Sequence, residues 1–171
     1  MKPDAKVLYS IYKAWKAAVD KVADVQGLYP TFVTNVISPT SVRVAKTNGV
    51  GNVWGLEEEP LISKSLQSWF SLASYAYRHC TVWQLSTGWD LAQDDIRMEA
   101  WSRQLTEHLH GINKKLGLAS EFVYMGDAGE WQDPYAGFPS ENVARMRKTR
   151  SAYDPAGVFS TLSWGGFKLG L

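Results

Sequence analysis

The stretch TVWQLSTGWDLAQDDIRMEAWSRQLTEHLHGINKKLG, residues 81–117, decides the fold class, because two different periodicities meet in it. Residues 81–87 are β-branched and aromatic and read as a strand. After Asp94 and Asp95, either of which can cap a helix, Met98, Trp101, Leu105, Leu109, Ile112 and Leu116 recur at three and four residues until Gly117 ends the run. Asp90, Asp94 and Asp95 lie where strand gives way to helix, a place where carboxylates ordinarily satisfy orphan backbone N–H groups.

The same alternation extends to both sides. From Asp4 to Val25, Val7, Ile11, Trp15, Ala18 and Val22 form a helical stripe that ends near Gly27. YPTFVTNVIS reads as a strand that stops at Pro39. TSVRVAKTNG is ambiguous between strand and helix and leans to helix. NVWGL reads as a short strand leaving the turn NGVGN. Residues 63–79, SKSLQSWFSLASYAYRH, place Leu66, Trp69, Phe70, Ala73, Ala76 and Tyr77 on one helical face. EFVYM, residues 121–125, reads as a strand, and Ser140 is placed to cap a basic helix through NVARMRKTRSAY. Strands and helices alternate without the long apolar runs of a buried parallel sheet. The expected class is therefore α+β: a mixed, mainly antiparallel sheet with helices packed on one face, in a single domain over residues 1–171.

Composition narrows the partners. The chain has 18 Lys and Arg against 17 Asp and Glu, a formal charge of +1, so nothing draws it to nucleic acid or an anionic membrane. One cysteine, Cys80, can form neither an internal disulfide nor a thiolate zinc site. The N-terminal residues carry frequent charges and no window reaches the length of a membrane span, which gives a soluble, cytoplasmic expectation. Eight Trp and eight Tyr suit either a core or a pocket for planar apolar ligands.

Metal and nucleophile signals are weak. His108 and His110 sit two apart on the long helix, whereas a helical metal pair needs a spacing of three or four, and no metal is expected. His79 and Cys80 are strand neighbours pointing to opposite faces. NGVGNVWG lacks the strand-to-helix context of a dinucleotide loop. The stretch YMGDAGEWQDPYAGF, residues 124–138, is richer. Asp127 and Glu130, beside Tyr124 and Trp131, fit a general acid and base held against aromatic walls, where an apolar surround favours a protonated carboxyl. A plain surface turn fits them equally well.

YMGDAGEWQDPYAGF, followed by ENVARMRKTRSAYDPAGVF and GGFKL, resembles the C-terminal end of FAD-linked oxidases of the berberine-bridge-enzyme type, especially those of fungi. TNGVGNVWGL and the acidic pair opening the long helix resemble the substrate domain of the same family, so the likeness spans roughly residues 15–171. It implies an antiparallel sheet backed by helices that presents substrate to a flavin, and a large N-terminal domain, not contained in these 171 residues, that holds the FAD. Two departures stand out. The family carries Asn two residues after the strand Tyr, near the flavin, where this chain has Gly126. Residues 63–79 look like a helical insertion.

The expectation that follows is a cofactor-independent tailoring enzyme of fungal specialised metabolism, catalysing an isomerisation, cyclisation or pericyclic step on a small apolar substrate and forming a homodimer over the face that otherwise meets the flavin. Alternatives are one half of a split FAD-dependent oxidoreductase, FAD being the cofactor only in that case, or a ligand-binding remnant. The candidate catalytic residues are Asp127, Tyr124, Glu130 and Asp90; the candidate substrate-binding residues are Trp54, Trp83, Trp89, Trp131, Tyr75 and Asn52.

Overall fold

The computed structural model describes residues 4–56 and 80–169, so the helical segment expected at 63–79 and its Tyr75 lie outside the described residues. Helix α1 spans Ala5–Val19. Its N-cap Asp4 accepts the Val7 N–H at 2.9 Å, satisfying one of the four orphan donors of the first turn. A single 3-10 turn, Asp20–Val22, prolongs it towards Gly27, whose φ of 68° reverses the chain.

Strand β1, Tyr29–Ile37, runs antiparallel to β2, Cys80–Gly88, in a register that pairs Tyr29 with Gly88 and Ile37 with Cys80. In this register Phe32 faces Leu85 and Thr34 faces Trp83. Since side chains on a strand alternate, these four lie on one face of the sheet. That face meets two helices. Ile11 of α1 and Leu109 of α3, the long helix Asp95–Lys115, are 2% and 1% exposed and pack with Phe32, Trp83, Leu85 and Leu105. Tyr12 and Trp15 add ring contacts to Phe32 at 5.5 Å each.

A second small core gathers Val22, Val25 and Met98, with Leu28, Trp89 and Trp101 packed around them. Both polar handles of its tryptophans are used: Trp89 Nε1–H donates to Asp95 Oδ1 at 2.7 Å and Trp101 Nε1–H to the Ala18 carbonyl at 3.2 Å. Helix α3 stops as expected at Gly117, with φ 68°, and the Asn113 carbonyl accepts the N–H groups of Leu118 and Ala119.

Three further helices complete the described chain: α2, Pro39–Thr47, α4, Ser140–Tyr153, and α5, Val158–Thr161. The helical reading of TSVRVAKTNG is therefore correct. Ser140 is the first residue of α4 and makes no side-chain cap; Pro139 holds the N-cap position and its carbonyl accepts from Asn142 and Val143. Asp154, at the end of α4, instead caps the next helix, accepting from Val158 N–H at 2.7 Å and Phe159 N–H at 3.1 Å.

The class is α+β, but the sheet among the described residues has two strands. Neither NVWGL nor EFVYM becomes one. In the first, the Asn52 side chain takes over the backbone groups a ladder would use: its Nδ2–H donates to the Leu56 carbonyl at 2.6 Å and its Oδ1 accepts the Leu56 N–H at 3.2 Å, folding the stretch into a turn. In the second, the backbone at Glu121 and Phe122 is covered by Gly137 of the following loop rather than by a neighbouring strand. The described residues gather into two compact units, one of residues 4–41 and 80–120, the other of 42–56 and 121–169.

Candidate functional site

The aromatic candidates in the second unit are displayed by two short segments. One is the turn 52–55. Its Asn52 and Val53 carbonyls accept from Asn142 Nδ2 at 3.0 and 2.9 Å, so the first turn of α4 holds it in place. Gly55, with φ 66°, lies so close to Pro139 that a Cβ there would stand 2.3 Å from Pro139 Cγ. Trp54 projects from this turn, 41% exposed.

The other segment is the run from Phe122 to Trp131. Phe122 packs against Trp54 with ring centroids 5.5 Å apart, and Tyr124 meets Trp54 edge-on at 5.9 Å and 82°. A 3-10 turn, Met125–Asp127, follows directly, closed by Asp127 N–H donating to the Tyr124 carbonyl at 3.1 Å. Tyr124 folds back over this turn. A Cβ on Gly126 would stand 2.9 Å from Tyr124 Cε1 and 3.4 Å from its Oη, so the phenol ring occupies the room a side chain at 126 would need.

Trp131 does the same at the other end. Its indole lies where a Cβ on Gly129 would fall, 2.7 Å from Cη2 and 2.8 Å from Cζ3. Gln132 locks this half of the loop, its Oε1 accepting the Gly129 N–H and its own N–H donating to the Gly129 carbonyl, both at 2.9 Å. Asp127 sits along the chain between the two folded rings and is half-buried; Glu130 is exposed. Tyr124 and Trp131 remain 42% and 36% exposed. A carboxylate, a phenol and half-open aromatic surface on one rigidly closed loop can polarise or deprotonate a small apolar molecule resting on the rings.

Beyond the loop, Tyr135 closes the tail down: its hydroxyl donates to the Phe167 carbonyl at 3.2 Å. Burial, and secondarily the Asp133 charge, raises the affinity of this phenol for its proton, which keeps the donor protonated.

Trp83, Trp89 and Asp90 belong to the first unit and have local work there. Trp83 packs in the core of α1, α3 and the sheet, and Trp89 in the second small core. Asp90 is exposed; its carboxylate rests on Gly27, where a Cβ would meet its Cγ at 2.1 Å, and its backbone N–H donates to the Gln26 carbonyl at 3.1 Å. Asn52 shapes the turn that carries Trp54. Sequence reasoning passed over Phe122, Gln132, Asn142 and Gly129. The aromatic-to-glycine spacing of two, present at both 124/126 and 129/131, was the available signal for the last.

No family model matches the chain, and no solved structure matches it, so the likeness to the berberine-bridge type rests on the motifs alone. Curated proteins do match. The FAD-dependent monooxygenase drtC of Aspergillus calidoustus is 37% identical over 81 residues, 47% of this chain and 16% of that protein. The FAD-dependent monooxygenase tpcD of Cochliobolus heterostrophus is 28% identical over 173 residues, 97% of this chain and 30% of its own length. The bifunctional solanapyrone synthase of Alternaria solani is 32% identical over 85 residues, half of this chain and 16% of that enzyme. The first two are fungal FAD-dependent monooxygenases, and the chain is similar to them over part of their length. It spans between about a sixth and a third of the length of these three relatives.

The resemblance to flavin-linked oxidases sets one residue of this loop near a flavin. The position that the resemblance sets beside it, 126, carries no side chain, and the Tyr124 ring fills the space an Asn there would take. The residues present do not supply that contact. Among the described residues no helix is long and apolar enough to cross a membrane.

Proposed function

We propose that this chain handles a small apolar substrate in fungal specialised metabolism, with the loop 124–131 and the Trp54 turn as its binding surface. One observation carries the reading: Tyr124 and Trp131 are folded back and half exposed at the two ends of a loop whose middle holds the half-buried Asp127. It is supported by relatives that are fungal FAD-dependent monooxygenases. The Asp127 carboxylate takes a proton from an activated C–H or O–H of the substrate and returns it to another atom, while the Tyr124 hydroxyl donates a hydrogen bond to the oxygen on which charge develops. This is an isomerisation or cyclisation without net oxidation, and it consumes no co-reactant.

A second reading, favoured by relatives that are FAD-dependent monooxygenases, is that another domain or chain supplies FAD and the same surface presents substrate to it. One experiment separates the two. Candidate apolar intermediates are incubated with the purified protein, with and without FAD and a flavin-domain partner. Flavin-free turnover that falls about 100-fold or more in Asp127→Asn, and about tenfold in Tyr124→Phe, supports the acid–base reading. Unchanged rates in both variants would sink it, and turnover only in the flavin-loaded mixture would replace it with the second.

A further inference from the structure

Neither Gly126 nor Gly129 adopts a positive φ, so the backbone at both positions suits any residue. What glycine provides there is room. Each lies two residues from an aromatic, and each leaves space that the ring fills: the Tyr124 phenol at 126 and the benzo edge of Trp131 at 129. Any side chain at either position would push its ring away from the loop, since a 2.9 Å or 2.7 Å approach to Cβ cannot be kept. The ring, being the free end of a side chain, can give way where backbone could not. The pair of glycines therefore sets the room in which the two rings lie.

We infer that Gly126 and Gly129 are specificity-determining positions: by letting Tyr124 and Trp131 lie folded on the loop, they make its surface selective for flat ring systems bearing a hydroxyl for Asp127. The inference rests on the proposed reading of this loop as the substrate site. Rings held down on the backbone offer extended flat surface, which a planar ligand covers by offset or edge contact and a globular one touches at a few atoms. The half-buried Asp127 supplies the acceptor that orients a ligand hydroxyl.

The test uses binding, so that its outcome does not depend on turnover. β-Naphthol, flat, and adamantanol, globular, are titrated into the wild-type chain by calorimetry. β-Naphthol should bind and adamantanol should bind at least about tenfold more weakly, the scale of one or two aromatic contacts. Gly126→Ala and Gly129→Ala should each weaken β-naphthol about tenfold, with far-UV circular dichroism and melting temperature unchanged. Combining Gly126→Ala with Tyr124→Ala should cost no more than Tyr124→Ala alone, because the glycine acts through that ring. Equal affinity for the two alcohols in the wild type, which needs no variant to fold, overturns the inference, as do unaltered affinities in both glycine variants. Selective β-naphthol binding without any turnover would leave it standing and remove only the acid–base function.

Discussion

At Gly137 an added Cβ would stand 2.3 Å from the Glu121 carbonyl oxygen and 2.8 Å from its carbon. Both are backbone atoms, which cannot swing aside as the rings beside Gly126 and Gly129 can. Gly137→Ala is expected to destabilise the protein by about 1–3 kcal/mol, the usual cost of overpacking, or by more if the 121–122 segment must detach. Chemical denaturation measures it directly; a loss no larger than that of Gly126→Ala would show that the loop 134–138 does not bear on Glu121 as described. Residues of the same type in one loop thus answer to different constraints. In the sequence Gly126, Gly129 and Gly137 look alike, because what differs is the neighbour each one meets. Tyr124, Asp127 and Trp131 were legible as a group from local clustering. Trp83 and Trp89 were not separable from them, since composition cannot tell a tryptophan in a core from one on a surface.

Elements were read more securely than residues. The stripes of α1 and α3 follow from apolar side chains at three- and four-residue spacing, and Met98 and Leu109 are indeed 0% and 1% exposed. What periodicity does not reveal is how one element is tied to the next. Arg97, on the outer face of α3, reaches back to Asp24 in the turn after α1 and grips its carboxylate with both nitrogens, at 2.7 and 2.8 Å. The hydrogen bonds from Arg97 hold the Asp24 carboxyl below the usual carboxylate range. Because the folded value is the depressed one, the stabilisation is present above the unfolded value and is lost as pH falls through the folded one. The pair is exposed, so the effect is small and screened by salt. Asp24→Asn should therefore melt slightly below the wild type at neutral pH, and the two melting curves should converge in acid. A gap that persists below the carboxylate range would rule out this ion pair as its source.

Taken over the whole molecule, the largest fully buried side chains among the described residues are Met98, Leu109, Asn113 and Pro134. Leu109 joins α3 to α1 and the sheet. Leu109→Ala should cost about 2–5 kcal/mol through lost transfer energy and the cavity left behind. Set against a stability on the order of 5–15 kcal/mol for a typical domain, that is enough to bring partial unfolding into the physiological range. Tryptophan fluorescence during urea denaturation would register it; a shift below about 0.5 kcal/mol would mean that the site is not the joint described here.

From residues 81–117 alone came the α+β class, the long helix and its stop at Gly117, because hydrophobic period and glycine conformation are local properties carried by consecutive residues. The sequence also determined the chemistry of the loop 124–131, since its acids, phenol and indole are neighbours along the chain. Only the tertiary structure decided that NVWGL is a turn and EFVYM no strand: Asn52 takes the backbone groups of Leu56 with its side chain, and Gly137 packs closely against the Glu121 backbone. It alone, too, laid Tyr124 on Gly126 and Trp131 on Gly129, a matter of steric room that sequence spacing suggests and three-dimensional contact settles.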